Sequence, residues 1–342
     1  MGMIGSEWDD VFQSILKKCE RGERPCSLRN KTTMLQQIPL RAADMTKPSF
    51  TYLLAASSGL AANILLGVSS LYWRELNELT PQVLVAYRVL LSLLALAVMI
   101  GFGQGFRHLV KLNIRTLGLH CTASFLVAVN WGSFIWASLH GHVLESGFGY
   151  LLAPFLSITM GVFFYREKLK PAQTVSMLTI MAAALLLALT SSELNHWIYV
   201  LIAVTWGSYT CIKKATPLNA VEGLFVETLF LTLAIVLAVA LLGWSLAWPD
   251  PMSTQAQWLI PLAGVISVVP LIMFAYAIGR IPLSQAALFQ FVLPITQLVI
   301  AVYVYKQPIS INALLLYSFT VGVLIVLIIY ELATQKKIVI AR

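Results

Sequence analysis

Two ionisable side chains lie deep inside long apolar stretches, where they are the strongest candidates for chemistry. Arg88 follows the start of one stretch by about seven residues, or roughly 10 Å of helix. Glu227 lies about as far, roughly 10 Å, inside another stretch. A charge in hydrocarbon is costly, so each side chain should face a cavity or a partner. Arg88 suits the counter-charge of a substrate and Glu227 suits a proton or cation site. Alternatively, the two form a structural pair or are satisfied by helix ends.

Uncharged polar and aromatic side chains near the middle of other stretches form a second group. An amide in hydrocarbon needs a hydrogen-bond partner or water. Pro154 and Pro294 each remove a backbone donor and loosen their helix, which predicts two hinges. For the aromatic residues, helix packing is the alternative to lining a cavity. The predicted substrate-binding residues are Arg88, Asn130, Trp131, Tyr150, Trp206, Tyr209, Glu227 and Gln290.

The residues needed for several enzyme classes are missing from the apolar stretches. The four aspartates all lie outside them, so an Asp-rich metal and diphosphate site has no ligands. The sequence has no His-Glu-x-x-His motif and no Gly-rich loop that ends in Lys-Ser or Lys-Thr. Its four cysteines lack the spacing of a zinc site. We therefore predict no catalytic residue, cofactor or metal, and we expect His120 at a membrane interface.

The composition excludes an ordinary soluble protein. The chain has 342 residues, of which 58% are hydrophobic and 11% are charged, and its mean hydropathy is +0.80. A soluble domain carries about 25% charged residues. A soluble enzyme, a disordered protein and a nucleic-acid binder are all excluded on this basis, which leaves an all-α integral membrane protein.

Ten apolar stretches are long enough to be membrane spans, which need about 20 residues each. The sixth is short and is expected to extend by a few residues at either end. The predicted spans are Thr51–Tyr72, Pro81–Gly103, Thr116–Ala137, Ser146–Tyr165, Ala172–Thr190, Trp197–Ile212, Ala220–Trp244, Trp258–Gly279, Ser284–Tyr305 and Ile311–Leu332.

The basic residues predict the orientation of these spans. Twenty of the 23 Lys and Arg residues fall on the side of the two termini and two fall on the other side, with Arg88 inside a span. Cytoplasmic loops carry the Lys and Arg excess, so both termini are predicted to be cytoplasmic. Residues 1–50 form a polar leader with a potential amphipathic helix from Ser6 to Cys19. Alternatively, this leader is a dispensable tail or precedes a start at Met34 or Met45.

An internal repeat indicates two related halves. Gly149–Pro171 aligns without gaps with Phe289–Ile311, at an offset of 140 residues. This offset covers five spans, so the two copies must cross the membrane in opposite directions. We therefore predict halves at 51–190 and 191–335, followed by a cytoplasmic tail at 336–342. Inverted repeats of this kind are typical of secondary transporters, whose site lies between the halves. Chance similarity between apolar helices is the alternative.

The same polar residues resemble a known family, the RarD-type permeases of the EamA-type drug/metabolite transporters. The resemblance covers about Thr51 to Leu332, and the family's glutamate after the ninth span is Gln307 here. It implies a ten-helix inner-membrane carrier of two inverted five-helix halves, a name linked to chloramphenicol sensitivity and a poorly defined natural substrate. The residues that carry it are Ala86-Tyr87-Arg88-Val89-Leu90-Leu91-Ser92, Asn130-Trp131, His142-Val143-Leu144-Glu145, Gly149-Tyr150, Pro154, Gly223-Leu224, Glu227-Thr228, Gln290-Phe291 and Pro294.

These observations favour a secondary transporter of small organic solutes or drugs that works by alternating access, with possible proton coupling at Glu227. The expected partners are a small-molecule substrate and membrane lipids, and the chain is expected to act as a monomer or homodimer without nucleic acid. Two alternatives remain open, a non-transporting membrane scaffold and a lipid-modifying enzyme. A channel is a third, although it would usually need a ring of like residues from several subunits.

Overall fold

The structure is a computed structural model, and it describes residues 50–103, 109, 112–190, 195–247 and 252–307. It also describes residues 311, 314–315, 317–323 and 325–326. The predicted leader helix and the cytoplasmic tail lie outside the described residues, as does much of the tenth predicted span.

The described part of the chain is helical and contains no strand. A 3₁₀ turn at Ile260–Leu262 lies within one long helix, and a π-helical turn at Ile300–Val304 ends the next helix. The described residues between 311 and 326 are also helical. The helices are α1 Phe50–Glu75, α2 Pro81–Phe102, α3 Ile114–Leu139, α4 Val143–Tyr165, α5 Pro171–Thr190, α6 His196–Ala215, α7 Ala220–Leu242, α8 Thr254–Arg280 and α9 Leu283–Val304.

Local sequence signals explain where several helices begin. Asn113, Asn219 and Ser253 precede α3, α7 and α8, and each side chain accepts a hydrogen bond from a backbone N–H of the first turn. These N–H groups have no partner within the helix, which is why Asn and Ser favour this position. Pro81 begins α2, where its missing N–H costs nothing.

Seven of the described helices are long and apolar enough to cross a membrane, namely α1 to α4 and α7 to α9. Their outward faces carry large apolar side chains, such as Phe163 and Leu241, which are exposed by 76% and 77%. A surface of this kind is stable in lipid and not in water. The chain is therefore a multi-pass membrane protein.

Glycines let pairs of helices approach closely at two equivalent places in the sequence. A Cβ atom added to Gly207 in α6 would lie 2.8 Å from the Cβ of Leu156 and 3.0 Å from the carbonyl oxygen of Ala153, both in α4. A Cβ added to Gly67 in α1 would lie 2.8 Å from the Cβ of Thr296 and 3.2 Å from the carbonyl oxygen of Leu293, both in α9. All three residues of one contact are 140 positions from those of the other. The α4–α6 contact is thus repeated as the α9–α1 contact.

The ends of α4 and α9 are related in the same way. Arg166 follows α4 and Lys306 follows α9, and both adopt left-handed backbone conformations with φ of 52° and 50°. The residue that follows each of them, Glu167 or Gln307, turns back toward the other helix. Glu167 accepts hydrogen bonds from the N–H groups of Leu283 and Ser284 at the start of α9, at 2.7 and 2.8 Å.

Gln307 makes the equivalent contact at the other end of the helix pair. Its Oε1 accepts a hydrogen bond from the N–H of Leu144 at the start of α4, at 3.2 Å. The end of each helix therefore meets the start of the other, so α4 and α9 run antiparallel. We call these two contacts the Glu167 latch and the Gln307 latch.

The two matched prolines have different effects on their helices. Pro154 lies within α4, which is continuous from Val143 to Tyr165. Pro294 lies just after a break at Phe291, where the two α-helical segments of α9 meet. A proline cannot donate to the carbonyl four residues earlier, which is Gln290 for Pro294. The break in α9 therefore lies where the missing N–H donor predicts it. In contrast, α4 contains its proline and has no break.

Candidate functional site

A small closed cavity lies among the helices, and its lining includes five of the predicted substrate-binding residues. The centre of a water molecule can occupy about 10 Å³ of this cavity, so the cavity has room for about one water. We call this cavity the chamber. Its lining residues are Leu66, Arg88, Asn130, Trp131, Phe134, Tyr150, Trp206 and Leu293, which come from α1, α2, α3, α4, α6 and α9.

Arg88 is the only charged residue among the described residues that line the chamber, and only 2% of it is exposed. Its guanidinium lies 3.8 Å above the ring of Trp131 and 5.0 Å from the ring of Trp73. Stacking on an indole stabilises a cation by about 0.5–2 kcal/mol, much less than the cost of burying one. Within the described residues no carboxylate forms a salt bridge with Arg88. In the described part of the chain, its charge is therefore balanced by aromatic faces alone.

Several buried polar atoms around Arg88 have no hydrogen-bond partner. They include Nε and Nη1 of Arg88, and the indole nitrogens of Trp73 and Trp206. Each buried donor without a partner costs about 1–3 kcal/mol. Such a cluster is unusual in a folded protein and indicates a site that a ligand or water completes.

The opposite wall of the chamber is held by satisfied hydrogen bonds. The Tyr150 hydroxyl donates to Oδ1 of Asn130 at 2.9 Å, and Nδ2 of Asn130 donates to Oγ1 of Thr205 at 3.1 Å. These bonds join α4, α3 and α6 at one point. They fix the Asn130 amide in place, and the unpartnered atoms of the described lining belong to Arg88 and Trp206.

Glu227 belongs to a second buried group rather than to the chamber lining. Its carboxylate accepts a hydrogen bond from Nζ of Lys213 at 2.6 Å and from the Tyr209 hydroxyl at 3.2 Å, and its Oε1 lies 2.9 Å from Nδ1 of His120. All four residues are buried. We call them the ion cluster; it joins α3, α6 and α7.

Aromatic contacts connect the chamber to the ion cluster. The ring of Trp206 lies 5.8 Å from that of Tyr150 and 5.5 Å from that of Tyr209. Tyr209 in turn donates to Glu227. A change at the carboxylate therefore has a packed route to the chamber wall, through two side chains of α6.

A larger cavity of about 500 Å³ lies between α2, α3 and α7. Its lining is mostly apolar and contains no titratable side chain. Trp136, Trp197 and Trp244 lie along it. This cavity has Gln82 and Ser133 among its mostly apolar lining but no charged group that would orient a substrate, so the chamber is the stronger candidate site.

The structure brings most of the predicted residues into the two groups. Arg88, Asn130, Trp131, Tyr150 and Trp206 line the chamber, whereas Tyr209 and Glu227 belong to the ion cluster. Gln290 lines neither; it is buried, and both polar atoms of its amide lack partners. The predicted hinge Pro294 follows it by one helical turn, while Pro154 lies in α4 beyond Tyr150.

These contacts remove one alternative that the sequence left open. Arg88 and Glu227 do not form a structural pair, because Glu227 is paired with Lys213 instead. His120 is fully buried and contacts Glu227, and its expected depth at a membrane interface stays a prediction. Lys213 lies in the last turn of α6. No signal in the sequence identifies Lys213, Trp73 or Thr205 as site residues, because their roles depend on how neighbouring helices are rotated.

Known proteins resemble this chain over most of its length. The uncharacterized transporter YojE of Bacillus subtilis strain 168 is 32% identical over 274 residues, which cover 75% of this chain and 91% of YojE. Protein RarD of Streptomyces exfoliatus is 30% identical over 289 residues, which cover 82% of this chain and 89% of that protein. Protein RarD of Escherichia coli K12 is 26% identical over 284 residues, covering 81% and 95% of the two chains.

A solved crystal structure has a similar fold, with a TM-score of 0.57 and 17% sequence identity. The match covers 79% of this chain and 96% of that chain, and at this identity it concerns the fold alone. No protein-family model matches the sequence. The relatives are matched along nearly their whole length, and those with an assigned name are called transporter or RarD. The chain therefore belongs to the RarD-type permeases and is a membrane transporter.

Proposed function

We propose that the protein is a secondary transporter that moves small organic solutes by alternating access through the chamber. One observation carries this proposal. The chamber is closed in this structure, contains unpartnered polar atoms, and has a latch between α4 and α9 at each end of that helix pair. A site closed on both sides is the occluded state that an alternating-access cycle requires between its two open states.

In this proposal ten spans form two inverted halves. The support comes from contacts that recur at an offset of 140 residues, namely the Gly67 and Gly207 contacts and the two latches. The antiparallel arrangement of α4 and α9 agrees with halves of opposite orientation. The Lys and Arg distribution favours cytoplasmic termini in a bacterial inner membrane, which puts the Glu167 latch on the cytoplasmic side and the Gln307 latch on the outer side.

The proposed cycle opens one latch at a time. Release of Glu167 from α9 would open the chamber to the cytoplasm, whereas release of Gln307 from α4 would open it to the outside. Pro154 and Pro294 are the proposed hinges, because each leaves a helix with a missing backbone hydrogen bond. The break at Phe291 makes α9 the more adaptable of the two helices.

We propose that the ion cluster couples this movement to protons. As a carboxylate, Glu227 neutralises the buried Lys213 ammonium at 2.6 Å. Protonation of Glu227 would leave that ammonium without its counter-ion in a buried site, which is unfavourable. Separation of α6 from α7 would then hydrate Lys213, so the protonation state of the cluster favours one conformation over the other.

The test is transport by purified full-length protein in proteoliposomes. A thermal-shift screen of metabolites and antibiotics first identifies a ligand, because a ligand of the native state raises its apparent stability. Uptake of that ligand should respond to an imposed pH gradient, and Glu227→Gln should abolish the response. Lys168→Gln, in the exposed loop after α4, is the control. Undiminished pH-driven uptake by Glu227→Gln removes the coupling role.

The two other classes are less well supported. The named relatives are transporters, which points away from a lipid-modifying enzyme. An enzyme acting on lipid headgroups would place its reactive groups at a membrane interface, whereas the chamber lies in the middle of α2, α3 and α4. A scaffold would have no use for a buried unpaired arginine, which is costly to maintain.

A further inference from the structure

We propose that the substrate of the chamber is a monoanionic organic acid, whose carboxylate becomes the counter-ion that Arg88 lacks. This inference rests on the proposed transport function and names the chemical class that the same site accepts. It is carried by the unpaired charge of Arg88 and by the unpartnered atoms of the described chamber lining, which are donors.

The unpartnered atoms of the described chamber lining are hydrogen-bond donors. Arg88 has five N–H groups and no acceptor, and an indole nitrogen only donates. These atoms are Nε and Nη1 of Arg88 and the indole nitrogen of Trp206, and the indole nitrogen of Trp73, whose ring packs on the guanidinium, also lacks a partner. Oδ1 of Asn130 already accepts a hydrogen bond from the Tyr150 hydroxyl. A ligand that gives these donors partners must supply acceptors.

The charges select the sign of the ligand. Arg88 is the only charged side chain among the described residues of the chamber lining. Of the buried carboxylates, Glu227 is neutralised by Lys213, and Glu145 accepts hydrogen bonds from His142 and Gln307. Neither of these two carboxylates is free to receive a cationic substrate. A cation entering the chamber would meet a buried positive charge and a wall of donors.

The chemistry of the site favours a carboxylate over a phosphate. The planar guanidinium fork matches a carboxylate, and one guanidinium balances one negative charge. A phosphate ester with two negative charges would keep an uncompensated charge in a buried site. The remaining lining residues Leu66, Phe134 and Leu293 are apolar, so they suit the body of an organic acid rather than a second polar group.

The experiment compares three carbon skeletons, each as the carboxylic acid, the amide and the amine. The probes are benzoate, 3-phenylpropionate and octanoate, with the corresponding neutral amides and cationic amines. Binding to the purified full-length chain is followed by tryptophan fluorescence, because Trp73 and Trp131 lie against Arg88. We expect at least one acid to bind about thirtyfold or more tightly than its amide, since the buried charge pair forms only with the acid. No amine is expected to bind.

Two substitutions and a control connect this preference to Arg88. Arg88→Gln should lower acid affinity to that of the amide and leave amide affinity unchanged, whereas Arg88→Lys should retain part of the preference. Arg74 is the matched control, because it also stacks on an aromatic ring, 3.9 Å from the centre of Tyr305, but is exposed and outside the chamber. Arg74→Gln should bind the acids like the unaltered protein. Thermal unfolding of each variant confirms that it is folded.

Several results would overturn the assignment. It fails if none of the acids binds, if an amide or amine binds as tightly as its acid, or if Arg88→Gln keeps the acid preference. These results differ from failure of the transport proposal. Transport of neutral or cationic solutes would refute the anion class and leave the carrier, whereas acid binding without any flux in proteoliposomes would refute the carrier and leave the anion site.

Discussion

Glu167 and Gln307 lie 140 residues apart, and each accepts a hydrogen bond at the start of the helix that precedes the other. Glu167 follows α4 and caps α9, whereas Gln307 follows α9 and caps α4. Both are preceded by a residue with positive φ, which turns the chain back toward the partner helix. The two contacts join opposite ends of one antiparallel helix pair, which is why we propose them as the gates of the transport cycle.

The two latches are expected to differ in strength. Glu167 accepts two backbone N–H bonds with a charged group, whereas Gln307 accepts one with a neutral amide, so Glu167→Ala should cost about 1.5–3 kcal/mol and Gln307→Ala about 1 kcal/mol. Thermal unfolding in detergent measures the order of the two variants. Lys168→Ala, in the exposed residue beside Glu167, is the control and should change little. Equal losses, or a larger loss for Gln307→Ala, would contradict this account of the latches.

The two equivalent glycine contacts predict similar losses of stability on substitution by alanine. Gly67→Ala and Gly207→Ala each place a Cβ 2.8 Å from a side chain of the neighbouring helix, with backbone close behind. Each should destabilise by about 1–3 kcal/mol because the helices must move apart. Gly118→Ala in α3 is the control, since a Cβ there meets nothing within 4 Å. If Gly118→Ala is as damaging as the other two, close helix approach is not the cause.

The ion cluster predicts that a second substitution repairs the first. Lys213→Met leaves the Glu227 carboxylate buried without its cation and should destabilise by about 3–5 kcal/mol. Adding Glu227→Gln removes that charge, so the double variant should recover much of the loss. The readout is the free energy of unfolding of both single variants and the double variant. Additive losses would show that the two side chains are not coupled.

We expect one substitution of Arg88 to keep or raise the stability of the protein while it abolishes binding of the acid ligand. Arg88→Met removes a buried unpaired charge and keeps an apolar side chain of similar length. Replacing buried charges with apolar residues is often neutral or stabilising, by about 1–4 kcal/mol. The ligand-free melting temperature of Arg88→Met should therefore equal or exceed that of the unaltered protein. A large fall would mean that Arg88 is a structural residue that the fold requires.

Much of the helical framework could be predicted from the sequence. The first nine predicted spans coincide with helices, because the length of an apolar stretch and the polar residues that flank it define both ends. The short sixth span extends as expected, to His196–Ala215, and its last turn is polar, with Lys213 and Lys214. Lys214 donates to carbonyl oxygens at the end of α8, a tertiary contact that sequence periodicity does not carry.

The candidate site was predictable by residue type and less so by arrangement. Charged and amide residues in apolar stretches are costly, so Arg88, Asn130 and Glu227 stood out as expected. Their partners depend on helix rotation and depth. For that reason the sequence did not show that Arg88 and Glu227 belong to two separate groups, or that Lys213 is the counter-ion of Glu227.

The most direct test of alternating access is labelling of one chamber residue from each side of the membrane. Leu293→Cys, in a chain whose four native cysteines are replaced by serine, is exposed to a membrane-impermeant thiol reagent in vesicles of either orientation. Short thiol cross-links then fix either the Glu167 latch, through cysteines at 167 and 284, or the Gln307 latch, through cysteines at 144 and 307.

We predict labelling from both sides without a cross-link. Fixing the Glu167 latch should block labelling from the cytoplasmic side alone, and fixing the Gln307 latch should block it from the outside alone. Labelling from one side only, from neither side, or unaffected by both cross-links would contradict the account.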